Sequence, residues 1–171
     1  AHHLAVIGAG AQGRSHLAAM MEVRDIQKVT VYDQRREAAK KYQKEMEEKY
    51  KVPVMVCDSV EEAVKGAEII CTVTPSKEPY LKAEWIAPGA HINAVGAFTP
   101  NTREIESRLM AKAKLYADQV EAMKKECGEY LIPKDEGLFG EEHITGSIGG
   151  ILAGKVPGRE KDTEITLFDA L

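Results

Sequence analysis

Leu4 to Gly13 reads LAVIGAGAQG, four apolar residues running straight into Gly8-Ala9-Gly10-Ala11-Gln12-Gly13. That is G-x-G-x-x-G at every fixed position. The apolar run suits a strand buried on both faces. Beyond the glycines, Leu17, Met20 and Met21 fall at helical spacing, so the stretch from Arg14 to Met21 reads as a helix. A glycine fingerprint between a buried strand and a helix has a mechanical meaning. Gly8 permits the tight turn, Gly10 lets backbone approach a pyrophosphate, and Gly13 lets the helix pack on the strand. The phosphates then sit on free N–H groups at the positive end of the helix dipole.

A second strand and an acid complete the pattern. Lys28-Val29-Thr30-Val31-Tyr32 is β-branched and aromatic, and Asp33 follows it, twenty residues after Gly13. A dinucleotide fold places there the carboxylate that accepts hydrogen bonds from the adenosine ribose. The plainer role for Asp33 is a turn residue or helix cap. A carboxylate repels a 2′-phosphate, which favours NAD(H) over NADP(H). Arg35 and Arg36 leave NADP(H) open, since either could reach a phosphate.

The rest of the chain alternates. A charged helix is expected over Gln34–Lys51, with Glu37–Lys41 and Glu45–Lys49 as i,i+4 ion pairs. Strands are expected over Val52–Cys57, Ala67–Thr74, Ala90–Ala97, Lys114–Val120 and Thr163–Phe168. Helices are expected after Ser59, from about Glu104 to Ala113, over Glu121–Leu131 and, weakly, over His143–Leu152, where Gly146, Gly149 and Gly150 count against it. This order predicts one α/β domain over 1–171, a doubly wound, mostly parallel sheet of the Rossmann type in three αβα layers. Ligands collect beyond the carboxyl ends of such strands. The candidate cofactor set is therefore Gly8, Gly10, Ala11, Gln12, Gly13, Asp33, Gln34, Arg35, Thr72, Val73, Thr74, Val95 and Gly96.

Composition removes other classes. A net charge of -4 gives no electrostatic case for nucleic acid or an anionic membrane. No apolar run approaches the ~20 residues of a spanning helix. Cys57, Cys71 and Cys127 are widely spaced and odd in number, which points to a reducing, cytoplasmic setting. Cys71 reads as a small buried residue, and no metal site is expected. His2 and His3 point to opposite faces of a strand, and read as a tag remnant or surface histidines.

GAGAQGRSHL, VTVYDQR, ICTVTPSKEP, INAVGAFTPNTREIESRL and AGKVPGR with TEITLFDAL resemble the ornithine cyclodeaminase and mu-crystallin family, across essentially the whole chain. The resemblance implies an NAD(P)-binding domain of a longer two-domain subunit. It matches Gly8, Gly10, Gln12 and Gly13 to the phosphate loop, Asp33 to the ribose acid, and Thr72 to Pro75 to the crevice loop. It also implies that the lysine and arginine holding the substrate carboxylate lie in a domain absent here. The family's proton-transferring aspartate aligns with Phe98, which cannot accept a proton, so native-type turnover is not expected. Without the family's dimerisation domain, a monomer or weak dimer is expected.

Two explanations fit those departures. One is a nucleotide domain that still holds a dinucleotide. The other is an engineered protein using that domain as a scaffold for a new small-molecule or catalytic site. Phe98 and the run Thr145-Gly146-Ser147-Ile148-Gly149-Gly150 speak for deliberate substitution. Two constellations would then carry new chemistry. His143 and Ser147 share a face if their segment is helical, giving a hydroxyl–imidazole dyad, although Ser147 also suits a small contact residue. Lys124 or Lys125 beside Met123 is a Schiff-base candidate only if its amine is desolvated.

Overall fold

A computed structural model describes all residues, 1–171. Eight strands form one sheet: β1 (His3–Ile7), β2 (Lys28–Tyr32), β3 (Val54–Val56), β4 (Ile69–Thr72), β5 (His91–Ala94), β6 (Lys114–Ala117), β7 (Ile144–Ser147) and β8 (Thr166–Asp169). Their order is β3-β2-β1-β4-β5-β8-β6-β7, and every pairing is parallel. The order reverses between β1 and β4, which start crossovers to opposite sides. The last strand in the chain is inserted between β5 and β6.

The alternation along β1 shows why its sequence is apolar throughout. Leu4 and Val6 face one core, shared with Leu17, Ala39, Tyr42 and Met46. Ala5 and Ile7 face the other, shared with Ala63, Val64, Leu109, Met110, Met123 and Tyr130. A strand covered on both faces has no position for a polar residue. The first core is roofed by α1 (Ala11–Val23) and α2 (Arg36–Tyr50). The second is covered by α3 (Val60–Val64), α4 (Ser107–Lys112), α5 (Val120–Glu126) and α6 (Gly128–Asp135). A short α7 (Ile148–Leu152) follows β7. The doubly wound α/β expectation holds.

Details of the charged helix differ from expectation. Ala39, Tyr42 and Met46 form its buried face, as the spacing predicts. Its ion pairs are Lys40–Glu37 at 3.2 Å and Lys41–Glu45 at 3.8 Å rather than Glu37–Lys41 and Glu45–Lys49. Glu45 turns toward Arg14 of α1, which reaches it with Nε at 2.8 Å and a terminal nitrogen at 2.6 Å. A forked guanidinium contact between two helices outcompetes an exposed lysine pair. His3 is also not a surface histidine: it opens β1 and bonds Thr30 Oγ1 through Nε2 at 2.9 Å. His2 is exposed and lies 3.3 Å from Asp25.

Two expected helices resolve otherwise. The stretch over Glu121–Leu131 breaks at Cys127, whose backbone is extended, into α5 and α6. At the break, Gly128 lies against the carbonyls of Thr99, Pro100 and Thr102, where a Cβ would be within 2.8 Å of all three. The stretch His143–Leu152 is a strand followed by a helix, with Ser147 at the junction.

Candidate functional site

The carboxyl ends of β1, β2 and β4 meet at one crevice, and the glycine loop forms its floor. Gly8 has φ of +112°, a conformation that L side chains rarely adopt, and a Cβ there would lie 2.8 Å from the Val73 carbonyl. Its N–H donates to the Tyr32 carbonyl at 2.9 Å, tying the loop to the end of β2. A Cβ on Gly13 would collide with the Gly8 carbonyl, so the third glycine lets α1 begin against the turn. Gly10 differs, because nothing lies within 4 Å of where its Cβ would be. It is the N-cap of α1 with no side-chain cap. The N–H groups of Ala11, Gln12 and Gly13 have no intrahelical acceptor. Open space above uncapped N–H groups at a helix start is a cradle for an anion.

Asp33 sits beside that cradle, its side chain mostly buried. Its Oδ2 accepts the Ala9 N–H at 2.9 Å and its Oδ1 accepts the Arg35 N–H at 2.8 Å. Each carboxylate oxygen keeps capacity for a further donor, so the group orders the loop and can still take hydroxyls. Arg35 extends into solvent, 3.8 Å from Asp33. Arg36 is committed to an ion pair with Asp58. A cavity of about 430 Å³ joins Gly8, Gly10, Asp33, Gln34, Arg35, Val73 and Thr74 of the expected set. Tyr80 also lines it, and nothing in the sequence singled that residue out. Ala11 and Gln12 are exposed at the start of α1. Thr72 is fully buried within β4, its hydroxyl without a partner, and does not line the cavity.

Val95 and Gly96 lie one layer back, in the turn leaving β5. The Val95 N–H donates to the Thr72 carbonyl at 3.0 Å. Gly96 is held through Glu104, a fully buried residue also missed in the sequence. Glu104 Oε2 accepts the Gly96 N–H at 2.8 Å, and Oε1 accepts Thr74 N–H, Thr74 Oγ1 and Tyr80 OH at 2.7, 2.7 and 2.6 Å. Burial and then the Glu104 charge hold the Tyr80 phenol well above its usual range. Behind it, buried Glu129 accepts the N–H groups of Glu104 and Ile105. Burial, with Asp169 next, pushes Glu129 well above the usual carboxylate range. Asp169 accepts the Cys127 thiol at 3.3 Å and is raised to about 8, chiefly by burial.

The two constellations suggested for new chemistry do not form. Ser147 is the N-cap of α7 and its Oγ accepts the Gly150 N–H at 3.0 Å. His143 lies before β7, and its Nε2 pairs with the Met110 carbonyl at 2.7 Å. Extended backbone between them separates residues that a helix would have stacked. Lys124 is paired with Glu141 at 3.3 Å, which holds its proton on, and Lys125 is exposed. Neither amine is desolvated. Two glycines of the Thr145–Gly150 run, Gly146 and Gly150, have a packing reason. A Cβ on Gly146 or on Gly150 would come within 2.7 Å of Val156. Cys71 is fully buried, its thiol pushed up to about 12 by burial, and is inert. Phe98 is 63% exposed in the loop after β5.

A larger cavity of about 660 Å³ lies at the opposite, amino-terminal edge of the sheet, among Arg24, Glu68, His91, Asn93 and Arg159. Its polar groups answer one another. His91 bonds Thr166 at 2.8 Å and Asn93 at 3.2 Å, and Arg159 donates to the Glu164 carbonyl at 2.6 Å and to Thr166 at 3.0 Å. No helix start faces it, so the smaller crevice is the candidate. No helix of the chain is long and apolar enough to cross a membrane.

Residues 1–171 match the family model described as ornithine cyclodeaminase/mu-crystallin family. An alanine dehydrogenase from Archaeoglobus fulgidus is 38% identical over 166 residues, which are 96% of this chain and 50% of that protein. The structure of Thermococcus litoralis Delta(1)-pyrroline-2-carboxylate reductase in complex with NADH and L-proline superposes with a TM-score of 0.97. It is 39% identical, over 99% of this chain and 53% of that one. An archaeal alanine dehydrogenase dimer with bound NAD gives a TM-score of 0.92 at 38% identity, over 99% and 52%. The chain spans about half the length of the relatives it matches.

Proposed function

Because the chain belongs to the ornithine cyclodeaminase/mu-crystallin family, we propose that residues 1–171 are its nucleotide-binding domain and hold NAD(H) across the ends of β1, β2 and β4. One observation carries this reading. The open Gly10 turn, the uncapped start of α1 and the Asp33 carboxylate all meet at one crevice. Ala11, Gln12 and Gly13 would donate their N–H groups to the pyrophosphate, and Asp33 would take the adenosine ribose hydroxyls. Val73 and Thr74 would wall the nicotinamide half. The two similar structures with bound NADH or NAD support the choice of cofactor. Asp33 favours NAD(H) over NADP(H). Arg36 is already paired with Asp58, and the exposed Arg35, 3.8 Å from Asp33, is the cation beside the crevice that a 2′-phosphate would have to recruit.

When bound, the nicotinamide supplies hydride chemistry, and this chain's part is to bind and orient it. Phe98 offers no proton, so turnover of an amino acid or imine by these residues alone is not part of the reading. The engineered-scaffold alternative keeps Phe98 as its remaining support, and the same titration separates the two. Calorimetry with NADH should give micromolar affinity, about -8 kcal/mol, and weaker binding of NADPH. Asp33→Asn should weaken NADH about tenfold, the loss of charge-assisted bonds to the ribose, and narrow the gap to NADPH. Absence of binding by either cofactor would overturn the proposal and favour a rebuilt crevice.

A further inference from the structure

Thr74 and Tyr80 line the crevice, while Gly96 stands behind it at the end of the next strand. All three are tied to one side chain that reaches them from a separate loop. Glu104 receives four donors: Thr74 N–H, Thr74 Oγ1, Tyr80 OH and Gly96 N–H, all between 2.6 and 2.8 Å. Its own backbone is fixed as well. The Glu104 carbonyl accepts the N–H groups of Tyr80 and Leu81 at 2.9 Å each, and its N–H donates to Glu129. The Gly96 backbone is so close that a Cβ there would strike the Thr74 carbonyl and lie 2.5 Å from Glu104 Oε2.

Only an ionised carboxylate can accept from every direction without offering a proton of its own. A glutamine in the same place must aim its NH2 at one of these four donors. Buried donors that lose an acceptor, or face another donor, cost far more than a hydrogen bond contributes when made. The arrangement therefore sets one separation between the turn after β4 and the turn after β5. That part of the crevice lies beyond β4, across the glycine turn from Asp33, which marks the adenosine side beyond β2. A dinucleotide lying across the reversal of strand order places its second half there.

We propose that Glu104 is a positioning residue for the nicotinamide half of the dinucleotide, acting through Thr74 and Tyr80 rather than by touching the ligand. The proposal rests on the NAD(H) reading above and adds to it which buried group shapes the pocket wall. Glu104→Gln then separates the two halves of the ligand. ADP-ribose carries the adenosine, pyrophosphate and second ribose but no nicotinamide, so it uses the glycine loop and Asp33 and lacks the one group whose orientation is assigned to the Thr74 and Tyr80 wall.

The test is titration of the 171-residue chain, its Glu104→Gln variant and its Tyr80→Phe variant with NADH and with ADP-ribose. Fluorescence of the reduced nicotinamide is read alongside. Glu104→Gln should weaken NADH by about tenfold or more, keep ADP-ribose within about twofold, and return the fluorescence of any bound NADH toward its free value. Tyr80→Phe keeps the carboxylate and removes one donor, so it should shift the same ratio by a smaller factor, about two to five. Equal weakening of both ligands, or of neither, overturns the positioning role. If Glu104→Gln does not fold, Tyr80→Phe alone decides by the same ratio. If the unaltered chain takes up neither ligand, the NAD(H) reading fails and this proposal with it. Wild-type binding with an unmoved ratio in the variants sinks the positioning role alone.

Discussion

Asp169 ends β8 in the core with one carboxyl oxygen against the Cys127 thiol and the other without any partner. Burial lifts it to about 8, and the nearby Glu104 and Asp118 charges act in the same direction. Glu129, itself raised, faces the same region. An aspartate in the unfolded chain titrates near ~3.9. The folded chain therefore binds one more proton than the unfolded chain over the interval between those values. Stability from this group is complete below about pH 4 and is lost as pH rises toward about 8. Each pH unit inside that window is worth about 1.4 kcal/mol, so the step from pH 5 to pH 7 removes about 3 kcal/mol. Asp169→Asn keeps the shape and an acceptor for Cys127 but carries no titration. Urea unfolding of both proteins at pH 5, 6 and 7 cancels the part-buried His91 and His3, whose lowered values act with the opposite sign, and reads Asp169 together with the share of the Glu129 shift that Asp169 causes. The variant should gain on the wild type by about 3 kcal/mol across that range. A difference that stays flat with pH would show that Asp169 is ionised in the folded chain, and the argument from burial would be wrong.

Two further variants probe packing at the site's supports. Tyr42 is fully buried and its hydroxyl donates to the Gly13 carbonyl at 3.0 Å. Tyr42→Phe should cost about 1 kcal/mol in chemical denaturation while leaving the Arg14 guanidinium over the ring. Gly146→Ala should cost about 1–3 kcal/mol by driving a methyl into Val156. Val156→Ala in the same chain should recover part of that loss, a non-additivity visible in a double-mutant cycle.

What the sequence disclosed about the crevice is what lies close together along it. Strand, glycine turn and helix start are contiguous, so Gly8, Gly10 and Gly13 announced their roles through spacing alone. Asp33 was readable because β2 ends beside the same turn. Glu104 was not, because its acceptor work joins positions 74, 80 and 96, a relation that no local pattern encodes. The strand Ile144–Ser147 was hidden for a different reason. A parallel strand at the sheet edge needs little apolar surface, and a glycine beside a serine reads as a weak helix or loop. That misreading produced the His143–Ser147 dyad. The break at Cys127 escaped too, since a single glycine at 128 only weakens a helix, and the loop carbonyls packed on it come from residues far away in the sequence.

The place of β8 has a consequence for how the sheet is made. Strands β1 to β5 can pair with one another in the order in which they are synthesised, each crossing back beside its forerunners. β6 and β7 cannot join them directly, because residues 166 to 169 occupy the gap between β5 and β6. A chain still emerging from the ribosome therefore lacks the strand that joins β6 and β7 to the rest of the sheet until residues 166 to 169 have been made. Closure of the sheet is a single late event linking contacts some seventy-five residues apart, His91 to Thr166. Late, non-local pairings of this kind are slow and leave strand edges open. Asp169, the last residue of β8, must enter the interior in that same step.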